Sequence, residues 1–285
     1  MVMVDSHDAT YFQRMEASLG DKQHILDWLV PGSVLDVGAG SGKLSHIMAN
    51  HGYETYALDA SPSSQTRIQQ YDNIHGVLGH VAELDSLFPE NSFDNVVCSS
   101  IMHEVYSYGE AFHVPGDLID VNNALISFRR LLRPGGRLVI RDGIKPSNWS
   151  DSVMVQFLQS DGDDFVCYYA DNSPFWSDSF SSWTVNLQQS GPNNWIGNLG
   201  SAMEIVYTYT WGPESAIREV QEMYGILTEL DYLALLSQHK FTILHHEQYV
   251  QSGYIEHLKS KVRIMSSDGT VIWPSSNALL VVESP

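Results

Sequence analysis

The spacing of apolar residues changes character along this chain. Between Val34 and Asp142, short aliphatic runs alternate with stretches whose apolar positions recur every three or four residues. That is the pattern of a parallel sheet with helices on its faces, an α/β arrangement. The predicted strands are Val34–Val37, Thr55–Leu58, Gly76–Leu78, Asn95–Ser99 and Arg137–Arg141. Of the intervening helices, Lys43–His51 places Leu44, Ile47 and Met48 on one face and stops at Gly52, and Val121–Leu132 runs until Pro134-Gly135-Gly136 breaks it. Upstream, Tyr11–Leu29 reads as one or two helices whose Ile25, Leu26 and Leu29 cover the edge of the sheet. Downstream, a long helix around Pro213–His239 precedes strands around Thr242–Tyr249 and Ala278–Glu283 that complete the sheet.

Residues 146–212 break this rhythm. They are rich in Ser, Asn, Gly and Asp without clear period, yet hold thirteen aromatics, among them Phe165, Tyr168, Tyr169, Phe175, Trp176, Phe180, Trp183, Trp195, Tyr207, Tyr209 and Trp211. Such content argues against disorder and for an insertion that is either a substrate lid or a small accessory core. The expected division is 1–145, N-terminal helices and a cofactor-binding core; 146–212, an insertion; and 213–285, the final helix and closing strands.

Charge narrows the partners. With 34 acidic against 15 basic side chains the chain carries a formal −19, and no Lys or Arg occurs from Pro146 to Ile217. A phosphate-gripping surface needs a basic stripe, so nucleic acid is disfavoured and a neutral or cationic small molecule fits better. Cys98 and Cys167 are the only cysteines, which leaves neither a disulfide framework nor a CxxC metal site, and no metal is expected. No apolar run is long enough to span a bilayer and no secretory leader is evident, so the expectation is a soluble, cytoplasmic protein.

The most informative stretch is Val34-Leu-Asp-Val-Gly-Ala-Gly-Ser-Gly42, a strand running into three glycines and then a helix. Glycine permits positive φ and a close approach to a ligand, and the helix offers free N–H groups. Gly38, Gly40 and Gly42 make GxGxG, whereas a dinucleotide fingerprint needs glycine where Lys43 stands, so NAD and FAD are disfavoured. Seventeen residues after Gly42, the second strand ends at Asp59, whose carboxylate can accept from both ribose hydroxyls. Asp36, under the loop, either braces the turn or meets the positive end of a bound amino acid.

The chain here resembles the class I S-adenosylmethionine-dependent methyltransferases. Four elements carry the likeness: Val34–Gly42, the strand end Tyr56-Ala-Leu-Asp59, Ser92-Phe-Asp-Asn-Val-Val-Cys-Ser-Ser100, and Leu132-Arg-Pro-Gly-Gly-Arg-Leu-Val-Ile140. A weaker likeness covers about 224–283. The resemblance implies a Rossmann-like, seven-stranded, mostly parallel sheet with its last strand inserted antiparallel, and S-adenosylmethionine as cofactor. It implies that Gly38, Ala39, Gly40 and Gly42 lie against the methionine part, that Asp59 holds the ribose, that Ala60 flanks the adenine and that Val81 meets its edge. His80 occupies the place where the family commonly has an aspartate contacting the adenine amine, and a neutral imidazole can serve there as acceptor. Ser99 completes this cofactor set.

Candidates for chemistry follow the fourth and fifth strands, where open sheets present ligands. His103 is either a base or a hydrogen-bonded wall residue. Glu104 suits positioning of an amine or hydroxyl. Tyr106 and Tyr108, two apart in what reads as an extended loop, point oppositely, and Tyr106 is taken as the pocket ring. Asp142 either orients substrate or pairs with Arg141 at the surface. The leading function is methyl transfer to a small neutral or cationic molecule. The alternatives are an intramolecular reaction of the cofactor on the same fold, an RNA or protein methyltransferase, and a non-catalytic binder.

Overall fold

The computed structural model describes residues 19–108, 116–176 and 184–285. Phe180, Trp183 and the first part of the Tyr11–Leu29 helical stretch lie outside them. Strands β1 (Ser33–Val37), β2 (Glu54–Asp59), β3 (His75–Leu78), β4 (Phe93–Ser99) and β5 (Leu132–Gly143) pair in parallel in the order β3-β2-β1-β4-β5. Twelve strands are described in all. β12 (Asn277–Glu283) lies antiparallel between β5 and β9 (Thr242–Tyr249), completing a seven-stranded sheet. The α-helices of seven or more described residues are α1 (Lys43–Asn50), α2 (Pro62–Ile68), α3 (Met102–Tyr108), α4 (Leu118–Leu131), α5 (Gly162–Asn172), α6 (Leu199–Trp211) and α7 (Glu229–Gln238).

Successive strand residues point to opposite faces, and both faces are buried, which is why the strands read as continuous apolar runs. Leu35, Val96, Cys98, Leu138 and Ile140 pack on one side with Val121, Leu125 and Phe128 of α4. Val34, Val97, Val139, Leu279 and Val281 pack on the other with Leu44 and Met48 of α1. Ile25 and Leu29 belong to that second cluster, so the N-terminal segment covers a face of the central strands and not the sheet edge.

The segment after β5 is more regular than its sequence suggests. β6 (Ser152–Phe157), β7 (Leu187–Gly191), β8 (Asn194–Asn198), β10 (Val262–Ser266) and β11 (Val271–Ile272) form a second, antiparallel sheet in the order β11-β10-β6-β8-β7. Two of its strands come from beyond residue 212, so the accessory sheet is shared between the insertion and the C-terminal region. α6 is buried from Leu199 through Tyr209 and mostly apolar, as a helix enclosed by protein tends to be, with Ser201, Glu204 and Thr208 as its buried polar residues. The Tyr207 hydroxyl donates to the carbonyls of Ile144 (2.9 Å) and Ser276 (2.7 Å), tying α6 to the carboxyl end of the first sheet. The single helix expected over 213–239 is instead a short turn, Ala216–Glu219, an irregular bend, and α7. Thr228 and Asp231 form a capping box that starts α7 afresh.

Candidate functional site

At the carboxyl end of β1, Gly38, Gly40 and Gly42 adopt φ of 70°, 56° and 77°, a region in which side chains are strained. The loop is pinned to the next strand: Gly38 and Ala39 donate N–H bonds to the Leu58 carbonyl, each 2.9 Å, and Gly40 N–H donates to Asp59 Oδ2 at 2.8 Å. Asp59 Oδ1 accepts from Ser61 N–H at 2.9 Å, beside exposed Ala60. Asp36 is 2% exposed and accepts from Ser45 Oγ at 2.6 Å. Burial raises its carboxyl to about 6 against the pull of Ser45 and Lys22, which suits a bracing role under the loop.

His80 is used differently from the expectation. Its Nδ1 accepts from Ala82 N–H at 3.2 Å, capping a 3-10 turn that opens at Val81 and spans Val81–Glu83. With Nδ1 accepting, the ring proton of the neutral imidazole sits on Nε2, making that atom a donor and not the acceptor an amine needs. Ser99 is buried at the end of β4, and its Oγ has no hydrogen-bond partner among the described residues.

After β4 the chain turns through Ser100, a non-glycine residue at φ 61° held by Arg141, whose carbonyl accepts from Ser100 N–H at 2.7 Å. This turn launches α3. Asp142 Oδ2 accepts from the N–H groups of Met102 (2.7 Å) and His103 (3.3 Å), while Oδ1 meets His103 Nδ1 at 2.5 Å. Asp142 thus caps α3 and orients the imidazole together. The alternative of an Arg141–Asp142 pair at the surface is not realised. Neighbours on a strand diverge, and Arg141, 2% exposed, bonds Asp21, Ser100 and Gln251 instead.

His103 Nε2 lies 3.5 Å from Glu222 Oε2. Glu222 Oε1 accepts from Tyr108 Oη (2.7 Å) and Arg218 Nε (3.3 Å), and another Arg218 nitrogen reaches Glu104 Oε1 at 3.2 Å. The Tyr224 ring stacks on His103 at 4.7 Å, and its hydroxyl donates to Glu219. Tyr106 and Tyr108 sit on a helix and not an extended loop. Tyr106 is fully buried against Phe175, whereas Tyr108 faces the acids, so the pocket tyrosine is the one not chosen from the sequence.

Burial raises most of these carboxyls. Glu104 rises to about 7, with Glu222 and Asp59 adding to the shift and Arg218 and His103 opposing it, which puts Asp59 within electrostatic reach of this cluster. Burial and Glu222 likewise raise Glu219 to about 8. Burial opposes charge on both His103 and Glu222, but their contact outweighs it. His103 is raised well above its ordinary value by Asp142 and Glu222, and Glu222 is held at about 2 by His103 and Arg218. His103 is therefore biased toward its charged form, and Glu104 is the candidate that titrates near neutral pH. The donor atoms of His103, Glu104 and Glu222 lie within 4.8 Å of one another, close enough to surround a cation.

Glu222, Arg218, Glu219 and Tyr224 were not singled out in the sequence, where they sit in an unremarkable helical stretch. Glu204 of α6 is one of several acids in the stretch without Lys or Arg. Its carboxylate accepts from Tyr224 N–H (2.8 Å) and Gly225 N–H (2.5 Å), fixing the bend that delivers them. The one available signal was Arg218, the first cation after 146–217.

Residues 35–140 match the family described as methyltransferase domain. That likeness runs from β1 through β5 and leaves the rest of the chain unmatched by the family. A reducing polyketide synthase of Preussia isomera is 32% identical over 117 residues, 37% of this chain and 4% of that protein. An uncharacterised methyltransferase of Mycobacterium tuberculosis is 31% identical over 117 residues, 40% of this chain and 42% of that one. The match thus spans less than half the length of either relative. An S-adenosylmethionine-dependent methyltransferase from Mesorhizobium loti shares the fold at TM-score 0.53 and 16% identity, over 94% of this chain and 97% of that one. No helix among the described residues is long and apolar enough to cross a membrane.

Proposed function

We propose that this protein transfers the methyl group of S-adenosylmethionine to a small organic acceptor held at the carboxyl end of the first sheet. The observation that carries the reading is the adjacency of two assemblies: the positive-φ glycine loop closed by Asp59, and the His103–Asp142 pair at the ends of β4 and β5, coupled through Glu104. The residues present fit the cofactor. The glycine loop suits its methionine part, Asp59 keeps acceptor capacity for the ribose, Ala60 and Val81 flank the adenine position, and Ser99 Oγ is a buried polar atom in need of a partner.

When bound, the cofactor supplies an electrophilic methyl carbon. The chain's residues orient the acceptor and take its proton. Asp142 fixes the His103 ring, the charged form favoured on His103 keeps Glu222 ionised, and Glu104, titrating at about 7, is the group placed to accept a proton near neutral pH. The acidic, arginine-poor wall favours a neutral or cationic acceptor.

The test is incubation with S-adenosylmethionine, first alone and then with amine and hydroxyl acceptors, with mass spectrometry of the products. S-adenosylhomocysteine appearing only with an acceptor supports the reading. Consumption without any acceptor overturns it in favour of an intramolecular reaction. Glu104→Gln is expected to lower turnover while leaving S-adenosylhomocysteine affinity within twofold, roughly the spread of a neutral surface change.

A further inference from the structure

Glu219 takes no part in the proposed transfer. Glu219 is 1% exposed, and one of its carboxylate oxygens accepts from the Tyr224 hydroxyl. The other, Oε1, is closed to water and has no hydrogen-bond partner among the described residues. A carboxylate oxygen stranded in this way is costly unless something donates to it. Beside it stand Glu222 and Glu104, both bridged by the single Arg218 guanidinium, while His103 is already engaged by Asp142. Negative charge exceeds the positive charge supplied to neutralise it, and Glu104 and Glu219 respond by holding protons up to about 7 and about 8, through burial and mutual repulsion. Glu104 and Arg218 keep 20% and 17% of their side chains exposed, whereas Glu222 keeps 3%, so the first two form the mouth of the cluster.

We propose that Glu219, Glu222 and Glu104 form a recognition site for an ammonium group of the acceptor, which donates to Glu219 Oε1 and shares the other two carboxylates with Arg218. The word acceptor rests on the methyl-transfer reading; the cation site does not. An ammonium suits these residues better than a divalent metal. Its N–H groups can use single lone pairs left over on acids that already accept from Tyr108, Tyr224 and Arg218, whereas a divalent metal needs several oxygens at short range and, with its double charge, meets the stronger repulsion from the guanidinium.

The experiment is ligand-observed NMR titration of the full chain, with and without S-adenosylhomocysteine, using two matched pairs: methylammonium against methanol, and phenethylammonium against 2-phenylethanol. Each cation is expected to bind at least about tenfold more tightly than its neutral partner, the effect of one charge-assisted hydrogen bond. Glu219→Gln is expected to remove most of that preference. Should Glu219→Gln fail to fold, the wild-type pairs alone decide. Equal binding within a pair, a preference retained in a folded Glu219→Gln, or displacement of the cations by stoichiometric Mg²⁺ each overturns the proposal. If S-adenosylhomocysteine fails to bind while the cation preference holds, the methyl-transfer reading falls and the cation site stands; bound S-adenosylhomocysteine without a cation preference gives the reverse.

Discussion

The glycine loop and the acid cluster lie within electrostatic reach of each other but are assembled in opposite ways. The loop is local: three glycines within five residues set the backbone, and one side chain seventeen residues on, Asp59, closes it by accepting Gly40 N–H. The cluster is remote: α3 supplies His103, Glu104 and Tyr108, β5 supplies Asp142, and the bend before α7 supplies Arg218, Glu219, Glu222 and Tyr224. Tyr108 and Glu222 are 114 residues apart in sequence. A site made of backbone geometry tolerates side-chain change around it, whereas one made of buried opposed charges depends on every member.

That contrast can be broken at its strongest point. Asp142→Ala removes the cap of α3 and uncovers a buried imidazole biased toward its charged form, so a loss of about 3–5 kcal/mol in stability is expected, read by denaturant unfolding. A loss below about 1 kcal/mol, the level of an ordinary hydrogen bond, would show that the cluster is not knit through this residue. On the loop side, Asp59→Ala should act mainly on binding. Calorimetry with S-adenosylhomocysteine should show affinity reduced by about 10- to 100-fold, the worth of one or two charge-assisted hydrogen bonds; unchanged affinity would remove Asp59 from the cofactor set. Tyr108→Phe deletes a 2.7 Å bond to Glu222 and is expected to lower turnover by roughly tenfold, and full activity in that variant would return the tyrosine to a packing role.

The smallest effect concerns pH. Glu104, Glu204 and Glu219 are raised to about 7, 7 and 8, chiefly by burial, and His103 is raised through Asp142 and Glu222 despite burial. The folded chain therefore binds more protons than the unfolded chain between about pH 5 and 8, and the stability these groups contribute is lost as pH rises through that window. Glu222, held near 2, works in the opposite sense only as pH falls below its ordinary 4.5. The melting temperature of the ligand-free protein should accordingly be a few degrees higher near pH 5.5 than near pH 8.5. A rise in melting temperature toward alkaline pH would contradict the charge arrangement described for the cluster.

Much of the first sheet was legible in the sequence because its signals are local. Strands buried on both faces read as apolar runs, and a GxGxG turn announces itself within nine residues. The second sheet was missed although β6 alternates buried Val153, Val155 and Phe157 with less buried residues, and Gly191-Pro192-Asn193 marks the hairpin between β7 and β8. Its partner β10 lies about a hundred residues away, across α6 and β9, and strand pairing over that distance leaves no mark in either segment alone. Tyr106 and Tyr108 could not be told apart for a related reason. Both lie on one helix, and only the neighbours contributed by Phe175 and Glu222 distinguish a core ring from a pocket ring.

The sequence by itself determined the period of the parallel strands, the left-handed loop that only glycine accepts and the acid at the end of β2. Each depends on residues whose backbone preferences act within a few positions of themselves. The tertiary structure alone decided which charges meet. It turned Asp142 from Arg141 to His103, brought Arg218 and Glu222 onto α3, and left one oxygen of Glu219 unpaired. A side chain's protonation and its partners depend on what burial places around it, and that is a property of the packed chain.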